Sequence, residues 1–295
     1  HLNGFYADLL ANGRVDGKGG LSAKTVRECH VILHKAFGDA VRWGFLQRNV
    51  AMLADPPSNR MASVARRASL ITWTAAELHT FLEHVRGDRL FGVWMFASNS
   101  GMRRSEVGGG RWGDLSFDTG RFAVRQRLAS VDGVPQLSVP KSDRSRRTID
   151  LDRRTLEALK LHREGQLGDR RRWGDSYHDL DLIAAREDGM WIHPDWLSEM
   201  FRNHVKDARL RPIPLKNLRH THASLLLEAG VNPKIVSERL GHHSVAFTLD
   251  TYAHVLPGLQ GDAAEDLSDR IFGPSEAEDA DDRGDGDEAP PEGAL

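Results

Sequence analysis

The sequence predicts a mostly α-helical fold with one small antiparallel β-sheet, and three observations carry that expectation. Apolar residues recur at helical spacing over most of the chain, several of these runs open on capping residues, and one stretch, 122–151, changes to a two-residue period around Asp132 and Gly133. With 295 residues, 40% of them hydrophobic, the chain is long enough for two packed domains. It contains no apolar run near the roughly 20 residues that a membrane-spanning helix requires. Cys29 is the single cysteine, which excludes an internal disulfide framework, and the start shows no secretory signal. These features point to a reducing cytoplasm.

Taken in order, Ser22 is the expected N-cap of a helix that keeps Val26, Leu33, Phe37, Ala40 and Val41 near one face and stops at Gly44. The segment DPPSNRMASVARRAS, 55–69, has prolines, small residues and three arginines without an apolar period, and reads as a linker. Thr74 and Glu77 form a capping box ahead of Leu78, Phe81, Leu82 and Val85, with Gly87 as the expected stop. Residues 90–96 read as a buried helix leading into Arg103. Three glycines, Gly108 to Gly110, follow where larger residues suit a helix, so that segment is expected to be bent or loose.

The runs FAVRQRLAS and QLSVP flank the Asp132–Gly133 turn as a hairpin, RRTIDL supplies a third strand, and Lys141 falls between the second and third. Helices are expected over 152–161, 194–207 and 218–229. Asn232 and Pro233 then open PKIVSERL, Gly241 closes it, and Ser244 caps a short helix that carries Tyr252. In the stretch DAAEDLSDRIF, Ala263, Ala264, Leu267 and Ile271 share one helical side. Such a helix reads as folding onto its own domain.

The formal charge of −2 hides a partition. Residues 262–295 hold 13 acidic and 2 basic residues, which leaves 38 basic against 29 acidic residues in the preceding 261, a net of +9. The acidic tail, nearly free of apolar residues beyond Gly273, is expected to be disordered. A basic body suits a phosphate backbone, although this excess alone also suits an ordinary enzyme.

The most informative stretch is LKNLRHTHASLLLEAGVNPKIVSERLGHHSVAFTLDTYAHV, 215–255. It gathers Lys216, Arg219, His242 and Tyr252 at spacings suited to one phosphate. Cleaving a phosphodiester without a metal builds negative charge on the non-bridging oxygens, so guanidinium and ammonium donors must be in place beforehand. A tyrosine hydroxyl attacks phosphorus well only when a base or positive field offsets its reference pKa of about 10. His220, His222, His242 and His243 do not suggest a metal site, because His220 and His222 point about 200° apart on a helix and no carboxylate or cysteine set completes a tetrahedron. His220 reads as a structural histidine.

Four separated boxes in this sequence resemble the tyrosine recombinases of the phage-integrase type. They are Gly101, Arg103 and Glu106; Lys141 ahead of a basic turn; Lys216 with Arg219, where histidine more often stands at the first position; and Leu240, Gly241, His242 with Tyr252 ten residues on. The resemblance covers roughly residues 21–255. It implies an α+β architecture in which a partial helical core-binding domain at 1–54, lacking its leading helices, precedes a linker at 55–73. A tyrosine-recombinase-type catalytic domain at 74–261 follows, then a C-terminal helix and acidic tail at 262–295, with docking of that helix on a neighbouring subunit as the alternative to folding onto its own domain.

The same resemblance implies a site-specific DNA recombinase, an integrase of a mobile element, that needs no cofactor, metal or ATP. Tyr252 would form a 3′-phosphotyrosyl bond, Arg103, Arg219 and His242 would hold the phosphate, and Lys141 would protonate the leaving 5′-oxygen. Lys216 would be either the base or a further phosphate cation, and Glu106 would orient Arg103 or Lys216. Arg104 is read as a bystander. The implied partners are double-stranded DNA attachment sites, three further copies in a tetramer on DNA, and DNA-bending or excision accessory proteins, with no membrane. The rival readings are a DNA-binding relative without chemistry, a type IB topoisomerase-like enzyme, and a metal-dependent nuclease, the last disfavoured by the lack of a carboxylate cluster.

Overall fold

A computed structural model describes residues 1–58, 70–139, 146–252 and 259–273. The chain opens on two helices, α1 (Leu2–Asn12) and α2 (Ala23–Arg42). The Ser22 hydroxyl accepts from the Thr25 backbone N–H, the expected cap, and Gly44 follows the helix end with φ 78°. The helix α1 lies outside the sequence reading. Its Tyr6 is buried and meets His30 Nδ1 of α2 at 2.9 Å through its hydroxyl.

From Trp73 onward the chain builds one large core. The helix α3 (Ala75–His84) carries the reciprocal Thr74–Glu77 capping box and ends three residues before Gly87. The next helix, α4 (Phe91–Ser100), is almost wholly buried, so apolar residues occupy all its faces rather than one stripe. Trp73, Phe81, Trp94 and Phe201 form a ring cluster with centroids 5.1 to 6.2 Å apart, and this cluster is the centre of the core. The helix α4 ends at Gly101, whose φ of 65° and whose close neighbours His222 and Leu240 leave no place for a side chain. That turn aims Arg103.

The helix α5 (Arg104–Gly108) is short, and the glycines after it are not loose. All three are buried, and a Cβ on Gly109 would stand 2.6 Å from backbone atoms of Arg127. The small size of Gly109 lets strand backbone press against the Arg103 segment, while Gly108 faces the Leu128 side chain and Gly110 the Phe122 and Phe96 rings.

Among the described residues, two small antiparallel sheets stand in place of the single one expected. Strands β1 (Leu115–Ser116), β2 (Arg121–Val124) and β5 (Arg147–Asp150) form one in the order β1-β2-β5, while β3 (Arg127–Val131) pairs with β4 (Val134–Ser138) in the other. FAVRQRLAS is therefore two strands, broken at Arg125 and Gln126, and the Gln126 side-chain amide donates to the Gly109 carbonyl at 3.1 Å. Side-chain alternation does not reveal such a break. Lys141 lies outside the described residues.

The helix α6 (Arg153–Trp173) starts on the Asp152 cap but runs well past Leu161, through Gly165 and Gly168. Then come α7 (Pro194–Asp207), α8 (Asn217–Glu228), α9 (Pro233–Leu240) and α10 (Val245–Tyr252), each near its expected bounds. The last helix, α11 (Leu259–Phe272), leaves Leu267, Ile271 and Phe272 exposed. Most of the described chain is helical with small antiparallel sheets, as the sequence predicts. Among the described residues no helix is long and apolar enough to cross a membrane.

Candidate active site

Three turns bring the site together: the Gly101 turn after α4, the start of α8, and the Gly241 turn between α9 and α10. Gly241 has φ 66°, the left-handed conformation that ends α9 and turns the chain toward His242. Arg103 connects two of these turns. Its guanidinium donates to Glu106 at 2.6 Å and to the Gly241 carbonyl at 3.3 Å, while its backbone N–H donates to Glu106 at 3.0 Å.

Glu106 is buried and serves two arginines. Besides Arg103 it accepts from Arg147 at 2.9 and 3.3 Å, and the Arg147 Nε donates to the Arg239 carbonyl at 2.6 Å. Burial works to raise the Glu106 pKa, but the hydrogen bond and charge of Arg147, with help from Arg103, outweigh it and hold the carboxyl below its ordinary range. Arg147 thus ties β5 to both the Arg103 turn and the end of α9. The sequence showed it only as one of several cations near Lys141.

Arg219 is held differently. It is 7% exposed, one guanidinium nitrogen donates to the Gly101 carbonyl at 2.9 Å, and Nη2 is buried with no hydrogen-bond partner among the described residues. Burial, then the charges of Arg103 and Arg147, lowers its pKa to about 9. It stays protonated at neutral pH. A buried guanidinium with a vacant donor is costly, and a second guanidinium nearby raises the cost.

Tyr252 ends α10 fully buried, packed with Ala223, Leu227, Val236 and Leu240. Its hydroxyl lies 2.7 Å from His220 Nδ1. The His242 ring lies nearly parallel to the tyrosine, 12° between planes with centroids 6.4 Å apart, and its Nδ1 is 2.7 Å from Thr248 Oγ1. Burial, then the charges of Arg219 and Arg103, pushes the His242 pKa down to about 3. His242 is therefore a neutral imidazole at physiological pH, able to donate one hydrogen bond.

Lys216 is exposed at the N-cap of α8. It lines a cleft of about 570 Å³ with Arg103, Arg104, Ser105, Ser198 and Arg202, and no carboxylate is among the lining residues. Arg104 reaches across to α7, donating to the Pro194 carbonyl, Asp195 and Ser198 at 2.7 to 3.1 Å. The structure thus gathers Arg103, Glu106, Arg219, His242 and Tyr252, and sets Lys216 beside Arg103 in the cleft. His220, read from sequence as structural, is the hydroxyl's partner. Its place directly after Arg219, on the helix that faces Tyr252, was the available signal.

Below this layer, Arg239 Nε donates to His222 Nε2 at 3.0 Å, and its other nitrogens donate to the Asp150 and Asn99 carbonyls at 2.9 and 2.8 Å. Burial, then Arg239, lowers the His222 pKa to about 3. Among the described residues no group of three or more His, Cys, Asp or Glu is arranged to hold a metal ion.

A family model described as the phage integrase family matches residues 73–258, the segment that contains these turns. The chain belongs to the phage integrase family. It is accordingly a tyrosine-type site-specific recombinase. A XerC-like tyrosine recombinase of Caldanaerobacter subterraneus subsp. tengcongensis is 26% identical over 267 residues, which cover 85% of this chain and 67% of that protein. The ICEBs1 integrase of Bacillus subtilis is 28% identical over 260 residues, with the same 85% and 67% coverage. Among solved structures, the Tn1549 transposon integrase in complex with a circular intermediate DNA matches with a TM-score of 0.64 at 21% identity, over 85% of this chain and 80% of that one. The XerA recombinase matches with a TM-score of 0.53 at 15% identity, over 89% and 88%. At these identities the structural matches establish the shared fold.

Proposed function

We propose that this chain is the core-binding and catalytic part of a mobile-element integrase that cuts and rejoins duplex DNA through a 3′-phosphotyrosyl intermediate. Tyr252 attacks the scissile phosphorus, the bond to the 5′-oxygen breaks, and the ester preserves the bond energy for rejoining to another 5′-end. No ATP or metal is consumed. Arg103 and Arg219 hold the non-bridging oxygens, neutral His242 donates a further hydrogen bond, and Lys141 gives its proton to the departing 5′-oxygen. Glu106 orients Arg103. The exposed position of Lys216 beside Arg103 supports a role as a further phosphate cation rather than as a base.

One observation carries this reading: the buried Arg219 guanidinium keeps a donor without a partner among the described residues, next to a second guanidinium and the proposed nucleophile. Buried donors in folded proteins nearly always find partners, and an anion with several oxygens supplies one here. A phosphate oxygen that reaches Arg219 past Arg103, which does line the cleft, would meet that need.

By the same reading the catalytic unit spans 74–261, and the helical region 1–54 grips DNA from the other side through the linker 55–73. Two duplexes exchanging strands require four copies, so the working form is a tetramer on attachment-site DNA in the cytoplasm, assisted by DNA-bending or excision proteins. The DNA-bound state of the Tn1549 transposon integrase supports duplex DNA as the substrate. A suicide substrate, nicked near the attachment site so that rejoining fails, tests the proposal. Wild type is expected to accumulate a covalent protein–DNA complex in the presence of a chelator, and Tyr252→Phe to form none. Equal relaxation of plasmids with and without the site, or loss of activity on chelation, overturns it.

A further inference from the structure

The reaction needs an acceptor for the phenolic proton, and the structure holds one against the phenol. We propose that His220 is a further catalytic residue, receiving the Tyr252 proton at Nδ1 as the hydroxyl attacks phosphorus. This rests on the reading of Tyr252 as the nucleophile.

The geometry is direct. His220 Nδ1 is 2.7 Å from Tyr252 Oη, within the range from which general bases act. A tyrosine hydroxyl that donates to Nδ1 requires the neutral imidazole with its proton on Nε2, and that tautomer has its Nδ1 lone pair directed at the proton to be moved. Lys216, by contrast, is exposed at the helix start among cleft cations, where an ammonium is an acceptor only after losing its own proton. Adjacent positions on α8 divide the work: Arg219 faces the phosphate and His220 faces the nucleophile.

The step balances. As the bond from Oη to phosphorus forms, the hydroxyl proton passes to His220 Nδ1, the bond from phosphorus to the 5′-oxygen breaks, and that oxygen takes a proton from Lys141. On rejoining, a 5′-hydroxyl attacks phosphorus and returns its proton to Lys141, and His220 protonates the leaving tyrosine oxygen. The contact must therefore persist when DNA is seated. Arg219 on the same helix acts on Tyr252 and His242 from the Gly241 turn acts on His220, while Arg103 from the turn after α4 acts on both Arg219 and His242, and His243 acts on His242.

The experiment uses the whole chain and the nicked suicide substrate, measuring single-turnover covalent-complex formation across pH for wild type, His220→Asn and His243→Gln. Asparagine can place an amide where Nδ1 stands, keeping a hydrogen bond to Tyr252 without accepting a proton. His220→Asn is expected to bind the DNA as wild type does, to cleave about 100-fold more slowly, and to lose the slowing that wild type shows as the solution is made acidic. His243→Gln is expected to keep that acid limb. A substrate with sulfur at the 5′-bridging position, which leaves without a proton, is expected to restore Lys141→Ala but not His220→Asn.

Cleavage by His220→Asn within about threefold of wild type overturns the proposal, as does faster cleavage, which would make the contact a resting latch. Loss of the acid limb in His243→Gln, or restoration of His220→Asn by the sulfur substrate, also overturns it. If wild type forms a covalent complex that Tyr252→Phe lacks, the parent reading stands in any of these cases. If wild type forms none, the parent reading fails first.

Discussion

Two arginines that meet at the Gly101 turn are held in opposite ways, Arg103 by a carboxylate and a carbonyl, Arg219 by a carbonyl. Arg103 is partly exposed and braced by internal partners, two of its bonds going to a carboxylate that a further buried arginine also braces. Arg219 is buried, donates one hydrogen bond to a carbonyl, and leaves a nitrogen unmatched among the described residues. A paired charge holds position at little electrostatic cost, whereas a buried unpaired one stores a penalty that a bound anion relieves. By the proposed reading, the first arginine is aimed by its neighbours and the second meets the phosphate.

That comparison is broken most severely by removing the buried charge. Arg219→Ala is expected to lower single-turnover cleavage of a suicide substrate by about 10²- to 10³-fold, the scale of losing one preorganised donor to a developing oxyanion. Its folded stability should change far less than its rate, because a costly group has been taken away.

The opposite pattern is expected on the paired side. Glu106→Ala leaves Arg147 buried without its carboxylate and is expected to cost about 3 to 5 kcal/mol in urea unfolding, with loss of activity following from the loosened Arg103. Arg147→Gln should reproduce much of this, since it cuts the ties to both Glu106 and the Arg239 carbonyl.

Anion binding sharpens the contrast without DNA. Inorganic phosphate or vanadate is expected to stabilise wild type, by about 2.7 kcal/mol at a hundredfold excess over the dissociation constant, and so to raise its melting temperature. Arg219→Ala should lose most of that gain, measured by calorimetry at constant ionic strength.

A further test uses acid. His222 and His242 both have folded pKa values near 3, below the unfolded imidazole value of about 6.5. Between those values the unfolded chain binds protons that the folded chain does not, so stability is intact above about pH 6.5 and declines as pH falls toward 3. His222→Gln, which can still accept from Arg239, is expected to flatten this decline when unfolding midpoints are followed against pH.

The contrast also explains what the sequence revealed. Caps and stops are local, and Ser22, Thr74 with Glu77, Asn232 with Pro233, and Gly241 were legible because each acts within a few residues. The first helix was legible too: Leu2, Phe5, Tyr6, Leu9 and Leu10 keep a helical period that passed unread. The bend at Gln126 and the close packing of Gly109 depend on which strand lies beside which turn, and no local pattern encodes that neighbour. Arg103, Arg219, His242 and Tyr252 stood out as a spaced set. Arg147 and His220 did not, because their importance comes from partners 41 and 32 residues away.

The central claim is that Tyr252 becomes joined to a phosphate gripped by Arg103 and Arg219. Mass spectrometry of the covalent complex, after protease and nuclease digestion, tests it most directly. The expected product is a single modified peptide in which the Tyr252 oxygen carries the 3′-phosphate of the cut strand. Attachment at any other residue, or through a 5′-phosphate, contradicts the account.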